Sequence, residues 1–153
     1  MRAVIQRVKN ANVQIDGTVV GKCGIGYMIL FCAVSGDTES DIELLARKTA
    51  NLRIFEDEDG KMNRSILDIN GEVLCISQFT LAADTKKGNR PSFINAMEPI
   101  TAEKYYKMYC EALKTNGVKS VETGEFGADM QVTLTNDGPV TIILDTDVWN
   151  KKG

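Results

Sequence analysis

Alternating apolar and polar positions at the start of the chain predict a group of β-strands. The alternation covers the first eight residues, and residues 13–15 and 18–20 flank the pair Asp16 and Gly17, which favours a two-residue hairpin turn. A continuous apolar run over residues 27–34 predicts a strand that is buried on both faces. The first part of the chain is therefore predicted to build a sheet.

Apolar residues at helical spacing predict two helices further along the chain. The first covers residues 39–51, and the second covers residues 102–115 with Thr101 as its N-cap. The order ββ-βα-βα-βββ predicts one compact α+β domain over residues 1–153, with an antiparallel, barrel-like sheet as its core. Further strand patterns occupy residues 53–55, 72–81, 118–122, 129–135 and 140–145.

The composition limits the chemistry that this chain can perform. It contains no histidine, so it has neither a Ser-His-Asp triad nor an imidazole general base. Proton transfer must instead use carboxylates, lysine, tyrosine, water or the substrate. The net charge of −3 excludes a generally basic nucleic-acid binder. Any contact with RNA must come from a local cluster of cations or from a site for the end of the molecule.

The four cysteines do not form a metal-binding pattern. Cys23, Cys32 and Cys75 lie in apolar strand-like runs, where free cysteine behaves as a small hydrophobic residue, and we expect no metal or other cofactor. The longest apolar run, residues 25–34, has about half the length that spans a bilayer, and no secretory pattern is visible. A cytoplasmic protein is therefore expected. A thiol or metal hydrolase using Cys75 is the weakest alternative.

Three segments carry polar residues where chemistry is plausible. Residues 77–81 (SQFTL) end an apolar strand, and they either line a site or simply finish the strand. Residues 136–141 (NDGPVT) combine a hairpin signal with a proline that spoils it, so the residues alone favour a plain rigid turn. Lys86, Lys87 and Arg90 lie in a loop that contains glycine and proline, and they either bind phosphates or are simply solvated.

Segments 77–81 and 136–141 resemble the two signature motifs of the D-aminoacyl-tRNA deacylase family. Further similarity follows the family's order over nearly the whole chain, at residues 5–8, 52–55, 60–63, 87–93 and 126–130. The resemblance implies a homodimer, with active sites at its interface, that hydrolyses the ester of D-aminoacyl-tRNA at the 3′ CCA end. Its products are free tRNA and the D-amino acid.

The resemblance assigns the catalytic wall of the site to Ser77, Gln78, Phe79 and Thr80. Phe79 matches a residue whose backbone N–H lies near the scissile carbonyl, and Gln78 matches a polar group close to it. Thr80 resembles a residue once considered as a nucleophile. The family's reaction is thought to be assisted by the 2′-hydroxyl of the terminal adenosine, which helps to activate water, while the protein supplies positioning and an oxyanion site.

The resemblance assigns substrate binding and chiral selection to Gly138, Pro139, Arg7 and Met130. Gly138 and Pro139 match a cis pair that reaches into the other subunit's active site, and Arg7 matches a residue that holds this pair. Rigid backbone carbonyls exclude an L side chain by clash, so broad specificity for D-amino acids and leakage of glycyl-tRNA are expected.

Two departures from the family pattern are visible. Glu125 stands where many relatives have a basic residue, which puts tRNA affinity in doubt, and residues 31–34 (FCAV) replace a commoner Leu-Gly-Val strand ending. Lys86, Lys87 and Arg90 are the candidate tRNA-binding residues. The main alternative to the enzyme is a non-catalytic dimeric module that binds RNA or another ligand.

Overall fold

A computed structural model describes residues 1–150 of the chain. The strands are β1 (Arg2–Ile15), β2 (Thr18–Cys23), β3 (Gly26–Cys32), β4 (Arg53–Glu56), β5 (Met62–Ser65), β6 (Glu72–Ser77), β7 (Ser120–Thr123) and β8 (Gln131–Asp145). The helices are α1 (Glu39–Asn51), α2 (Pro99–Thr115) and α3 (Thr146–Asn150), and a 3-10 turn covers Phe79–Ala82. No helix within the described residues is both long and apolar enough to cross a membrane.

The sheet confirms the α+β class but is mixed rather than antiparallel. Strand β1 is antiparallel to β2, β3 and β8, whereas β3 pairs parallel with β6, and β6 pairs parallel with β7. The parallel pairs arise because long connections containing α1 and α2 return the chain to the same end of the sheet. The alternation of side chains along a strand does not reveal this direction.

Strand β1 curves the sheet towards a barrel. Its first half pairs with β3, its second half with β2, and β8 follows it on the other edge. Gly21 in β2 lies so close to the carbonyl of Thr123 in β7 that a Cβ atom would not fit there. The two ends of the sheet therefore approach each other, as the predicted barrel-like core requires.

Helices α1 and α2 pack together and cover one face of the sheet. Their contact includes a buried hydrogen bond of 2.9 Å between the hydroxyls of Thr49 and Tyr109. The Tyr109 ring stacks on Phe31 of β3 with ring centroids 4.8 Å apart. Because the Tyr109 hydroxyl is paired with Thr49, its aromatic ring fills the core without leaving an unsatisfied hydroxyl.

Several elements differ from their predicted bounds, and β1 is one strand where two were predicted, over residues 1–8 and 13–15. Helix α2 begins at Pro99 and not after Thr101, because the Glu98 carboxylate caps it by accepting from the backbone N–H groups of Ile100 and Thr101. Strand β6 ends at Ser77, and β8 is one strand where two were predicted. The short helix α3 follows β8 directly and was not predicted.

Candidate active site

A cavity of about 620 Å³ opens where β3 and β6 end, beside the 3-10 turn and the first turn of α2. Most of its wall is apolar, and polar side chains enter from the end of β6. This composition is that of a small-molecule site, with an apolar lining and few orienting polar groups. The lining residues are Phe31, Cys32, Ala33, Ile76, Ser77, Gln78, Phe79, Phe93, Ala96, Met97, Glu98, Pro99, Ala102, Phe126, Gly127, Ala128, Met130 and Val132.

The end of β6 places three of the four predicted catalytic residues at this cavity. Ser77 pairs with Phe31, and the Gln78 backbone N–H donates to the Phe31 carbonyl at 2.7 Å, which fixes the last residues of the strand. The chain then leaves the sheet and forms the 3-10 turn at Phe79. Thr80 is exposed and does not line the cavity, although its hydroxyl accepts from Gln78 Nε2 at 2.5 Å.

Aromatic side chains form part of the cavity wall. Phe79 is 57% exposed and meets the edge of Phe93, with ring centroids 5.1 Å apart. Phe126 and Met130 line the cavity from the segment before β8. Phe93 and Phe126 were not predicted as site residues. Their sequence signal is an aromatic residue in an otherwise polar loop, since such a residue often marks a binding function.

Among the described residues, only two side chains that line the cavity are titratable, Cys32 and Glu98. Burial raises the pKa of the Cys32 thiol, which points at the carbonyl of Phe79 with a sulfur–oxygen distance of 3.7 Å. Hydrogen bonds from Thr101 and from the Ile100 N–H lower the pKa of Glu98, whose carboxylate caps α2. The Cys32 thiol therefore stays protonated. The Glu98 carboxylate is a weak base whose oxygens already accept hydrogen bonds at the start of α2.

The other cysteines are placed as core residues. Cys75 is fully buried, and burial holds the pKa of its thiol well above the ordinary value. Burial likewise raises the pKa of Cys23 to about 11. Within residues 1–150, no group of three or more cysteine, aspartate or glutamate side chains is arranged to hold a metal ion. These placements oppose a thiol nucleophile at Cys75.

The segment that was predicted as a turn forms an irregularity within β8. In the pairing of β1 with β8, Gln6 lies opposite Thr141 and Val8 lies opposite Asn136, so Arg7 alone faces residues 137–140. We call residues 137–140 the bulge loop. Its Gly138–Pro139 peptide bond is cis, and both residues are exposed. The loop is absent from the lining of the cavity in the same chain.

Arg7 of β1 anchors the bulge loop by a hydrogen bond. Its Nε donates to the carbonyl of Asp137 at 3.0 Å, and its Nη1 donates to the carbonyl of Ile54 in β4 at 2.7 Å. Gly138 has a φ of +131°, and a Cβ atom there would lie 3.0 Å from Arg7 Nη2 and 2.8 Å from a methyl carbon of Val140. Conformation and space therefore both require glycine at this position.

The predicted tRNA-binding cations lie on a separate loop. An isolated bridge between Asp84 and Ser92 closes it, and we call residues 85–91 the basic loop. Lys86, Lys87 and Arg90 are all exposed, and none forms an ion pair within the described part of the chain. The loop runs between the cavity, which Phe93 lines, and a more polar cleft of about 500 Å³, which Lys86 lines.

Known proteins are similar to this chain over nearly its whole length. The family model described as D-Tyr-tRNA(Tyr) deacylase matches residues 4–145. A D-aminoacyl-tRNA deacylase of Ruegeria pomeroyi is 57% identical over 145 residues, which cover 95% of this chain and 99% of the relative. The enzyme of that name from Thermosipho africanus is 56% identical over 146 residues, covering 95% of this chain and 97% of the relative.

Two solved structures share the fold. A protein named c-Myc DNA Unwinding Element Binding Protein has a TM-score of 0.89 and 44% identity, covering 95% of this chain and 98% of that protein. A probable eukaryotic D-amino acid tRNA deacylase has a TM-score of 0.79 at 15% identity, covering 94% of this chain and 97% of that one, and supports the fold alone.

Proposed function

Since the chain belongs to the D-Tyr-tRNA(Tyr) deacylase family and is a hydrolase of D-aminoacyl-tRNA, we propose that two copies build each active site together. One copy supplies the cavity at the end of β6, and the other supplies the bulge loop of β8. The products of each turnover are free tRNA and a D-amino acid. The substrate's 3′ CCA end enters the cavity, and we place this reaction in the cytoplasm, where aminoacyl-tRNA is used.

The separation of cavity and bulge loop supports a site built from two chains. Ser77, Gln78 and Phe79 line the cavity, whereas Gly138 and Pro139 do not, and both of these are exposed on β8. A filter that acts on the substrate must touch it, so a second copy has to bring its bulge loop to the cavity. Homodimerisation is therefore part of the proposal.

The bulge loop selects chirality with main-chain atoms. When the amino group and the ester of the substrate are both fixed, the α-carbon leaves only two directions for the side chain. Carbonyl groups around Gly138 and Pro139 occupy the direction of an L side chain, and the D side chain points away. The filter ignores the identity of the side chain. Many D-amino acids are therefore accepted, and glycyl-tRNA, which has no side chain to exclude, is hydrolysed as well.

The ionisable groups at the cavity support the proposal that the substrate assists its own hydrolysis. In residues 1–150, Cys32 and Glu98 are the only titratable side chains that line it, and neither is poised as a general base. The 2′-hydroxyl of the terminal adenosine helps to activate water in their place. The Phe79 N–H, at the start of the 3-10 turn, stabilises the oxyanion, and Gln78 orients the reacting ester.

The basic loop provides the sequence-independent contact with tRNA. Lys86, Lys87 and Arg90 project from the loop that leads into Phe93, so phosphates of the acceptor end come within reach of these cations when the terminal adenosine enters the cavity. The net charge of −3 for the whole chain limits non-specific binding to nucleic acid. Glu125, exposed beside the cavity residue Phe126, weakens tRNA affinity.

Hydrolysis of D-Tyr-tRNA, with L-Tyr-tRNA as the control and EDTA present, tests the activity. We expect release of D-tyrosine alone, unaffected by the chelator or by iodoacetamide. Tight binding without turnover would instead support a binding module, and the name of the 44% identical solved structure describes binding to a DNA element by that protein. Loss of activity with EDTA or iodoacetamide would support a metal or thiol hydrolase.

Mixed dimers test whether cavity and bulge loop act across the interface. One copy carries Phe79→Pro, which removes the proposed oxyanion donor, and the other carries Gly138→Ala, which disturbs the loop. If the loop acts across the interface, a mixed dimer contains one intact cavity facing one intact loop. It then hydrolyses D-Tyr-tRNA and rejects L-Tyr-tRNA, although neither parent dimer does both. If each site lies within one chain, the mixed dimer keeps the poor selectivity of Gly138→Ala.

A further inference from the structure

Asn136 is the last residue of β8 before the bulge loop, and its side chain reaches across the whole loop. Its Oδ1 accepts a hydrogen bond of 2.7 Å from the backbone N–H of Val140. Its Nδ2 donates to the hydroxyl oxygen of Thr141 at 3.1 Å. A backbone N–H can only donate, so the amide oxygen must face Val140 and the amide nitrogen must face Thr141. The orientation of this amide is therefore fixed by its partners.

These bonds take the place of strand pairing that the loop cannot make. Arg7 is the single β1 residue opposite residues 137–140, so the loop has too few partners for a regular ladder. The Asp137 carbonyl accepts a hydrogen bond from the Arg7 side chain, and the Val140 N–H donates one to the Asn136 side chain. Val140 is only 7% exposed and packs in the main core. Both ends of the loop are anchored, and its tip is left exposed.

We infer that Asn136 is a positioning residue for chiral selection: its side chain closes the bulge loop and sets where Gly138 and Pro139 project. This inference rests on the proposed role of the loop in excluding L side chains. A clash discriminates only while the clashing atoms stay in place, because a loop that can retreat by a fraction of an ångström admits the wrong substrate. Asn136 acts on selectivity through the loop and does not touch the substrate.

Asn136→Ala removes both hydrogen bonds and is the principal test. We expect kcat/KM for L-Tyr-tRNA to rise about tenfold, while kcat/KM for D-Tyr-tRNA stays within about threefold of wild type. Asn136→Asp keeps an oxygen for the Val140 N–H, so we expect it to restore most of the discrimination. Asn51→Ala removes an exposed asparagine that bonds only the Arg47 carbonyl at the end of α1, and it serves as the matched control.

Thr141→Val decides the matter if Asn136→Ala does not fold. Thr141 is exposed, and the substitution removes the hydroxyl oxygen that accepts a hydrogen bond from Asn136 Nδ2. We expect the ratio of kcat/KM for D-Tyr-tRNA to kcat/KM for L-Tyr-tRNA to fall about threefold. Thr115→Val, at an exposed position near the end of α2, is its control. An unchanged ratio in the Thr141 variant, with Asn136→Ala unfolded, would overturn the inference.

Gly138→Ala separates failure of this inference from failure of the proposed function. If Gly138→Ala loses discrimination while Asn136→Ala keeps it, the loop selects chirality but Asn136 does not position it, and the inference alone is overturned. If Gly138→Ala also keeps full discrimination, the role of the loop and the inference both fail. A melting temperature that falls in Asn136→Ala with the D to L ratio unchanged would likewise leave Asn136 a purely structural role.

Discussion

The Arg7 guanidinium in β1 donates a hydrogen bond of 3.0 Å to the carbonyl of Asp137 in β8, the residue immediately before Gly138. Its other hydrogen bond, to Ile54, ties the same side chain to β4. Only 7% of the side chain is exposed, so its charge is largely removed from water and depends on these acceptors and on the Asp137 carboxylate 4.0 Å away. One buried cation thus links the bulge loop to the β4–β5 pair.

Replacing Arg7 is expected to cost both stability and selectivity. Arg7→Met keeps the apolar stem but leaves the Ile54 carbonyl without its buried donor, which we expect to lower the free energy of unfolding by about 1–3 kcal/mol. It also frees the loop, so hydrolysis of L-Tyr-tRNA should rise. Urea unfolding and the paired hydrolysis assay measure the two effects. The exposed Arg47→Met is the control, and equal selectivity in both variants would contradict the role of Arg7.

The main-chain donor at Phe79 is tested by comparing two substitutions. Phe79 is the first residue of the 3-10 turn, a position that accepts proline, so Phe79→Pro removes the N–H without breaking the turn. We expect kcat to fall about 10²–10³-fold, as for loss of an oxyanion donor. Phe79→Ala removes the ring and keeps the N–H, so kcat should stay within about tenfold of wild type. Equal losses in single-turnover assays would assign the effect to the ring.

Thr80 is expected to be dispensable for the chemistry. It lies outside the cavity lining and has only the Gln78 amide as a side-chain partner. Thr80→Ala should therefore keep kcat within about threefold of wild type, and Thr80→Ser, which retains the hydroxyl, should behave in the same way. A loss of about a thousandfold, equivalent to about 4 kcal/mol, confined to the alanine variant would indicate covalent catalysis by the hydroxyl.

Neutralising the basic loop should weaken tRNA binding and leave the bond-breaking step intact. The triple change of Lys86, Lys87 and Arg90 to glutamine is expected to raise KM and to flatten the dependence of KM on salt, because fewer counterions are released on binding. The single-turnover rate at saturation should not change. A control with the same charge loss replaces Lys48, Lys107 and Lys114, which are exposed on α1 and α2. Equal effects in both triple variants would show that the basic loop acts only through the net charge of the protein and not as a specific tRNA contact.

The pair of Arg2 and Asp145 gives a pH-dependent contribution to stability. Burial opposes ionisation of Asp145, but hydrogen bonds from the Asp147 N–H and from Arg2 at 3.0 Å outweigh it and lower the pKa of the carboxyl. A lowered folded-state pKa adds stability above the unfolded value of about 4, and this stability is lost as the pH falls through the folded value.

Asp145→Asn should therefore cost up to about 1 kcal/mol in the free energy of unfolding at pH 7, since the pair is partly exposed. The difference from wild type should shrink as the pH falls below the unfolded value of about 4 and through the lowered pKa of the folded carboxyl. Denaturant unfolding at several pH values measures it, with Asp59→Asn in an exposed turn as the control. A difference that does not depend on pH would show that the effect is not electrostatic.

Local patterns predicted the elements that depend on local physics. Strand β3 and helix α1 were anticipated closely, because a buried strand is a continuous apolar run and a surface helix has an apolar stripe. The start of α2 was misplaced because Glu98 is not among the strongest capping residues, yet its carboxylate reaches two backbone N–H groups. Parallel pairing of β3 with β6 depends on the path of the chain and leaves no local signal.

The bulge loop shows why part of the site was not visible in local patterns. Pro139 lacks a donor and Gly138 needs a positive φ, so the residues by themselves indicated a turn that would end the strand. Instead, β8 continues through the irregularity because Arg7 and Asn136 provide the missing hydrogen bonds. Arg7 lies far away in the chain, and its role was suggested only by the family resemblance.

The one-against-four pairing at Arg7 also restricts how the length of this segment can change. Deleting one residue from 137–140 must either stretch the three that remain or slide the strand beyond them by one position along β1. Because side chains alternate along a strand, a one-position slide would turn Leu144, which packs in the main core, towards solvent and bring Ile143, which is 70% exposed, inwards. Homologues should consequently keep the spacing of this segment, and single-residue insertions or deletions in it should abolish folding.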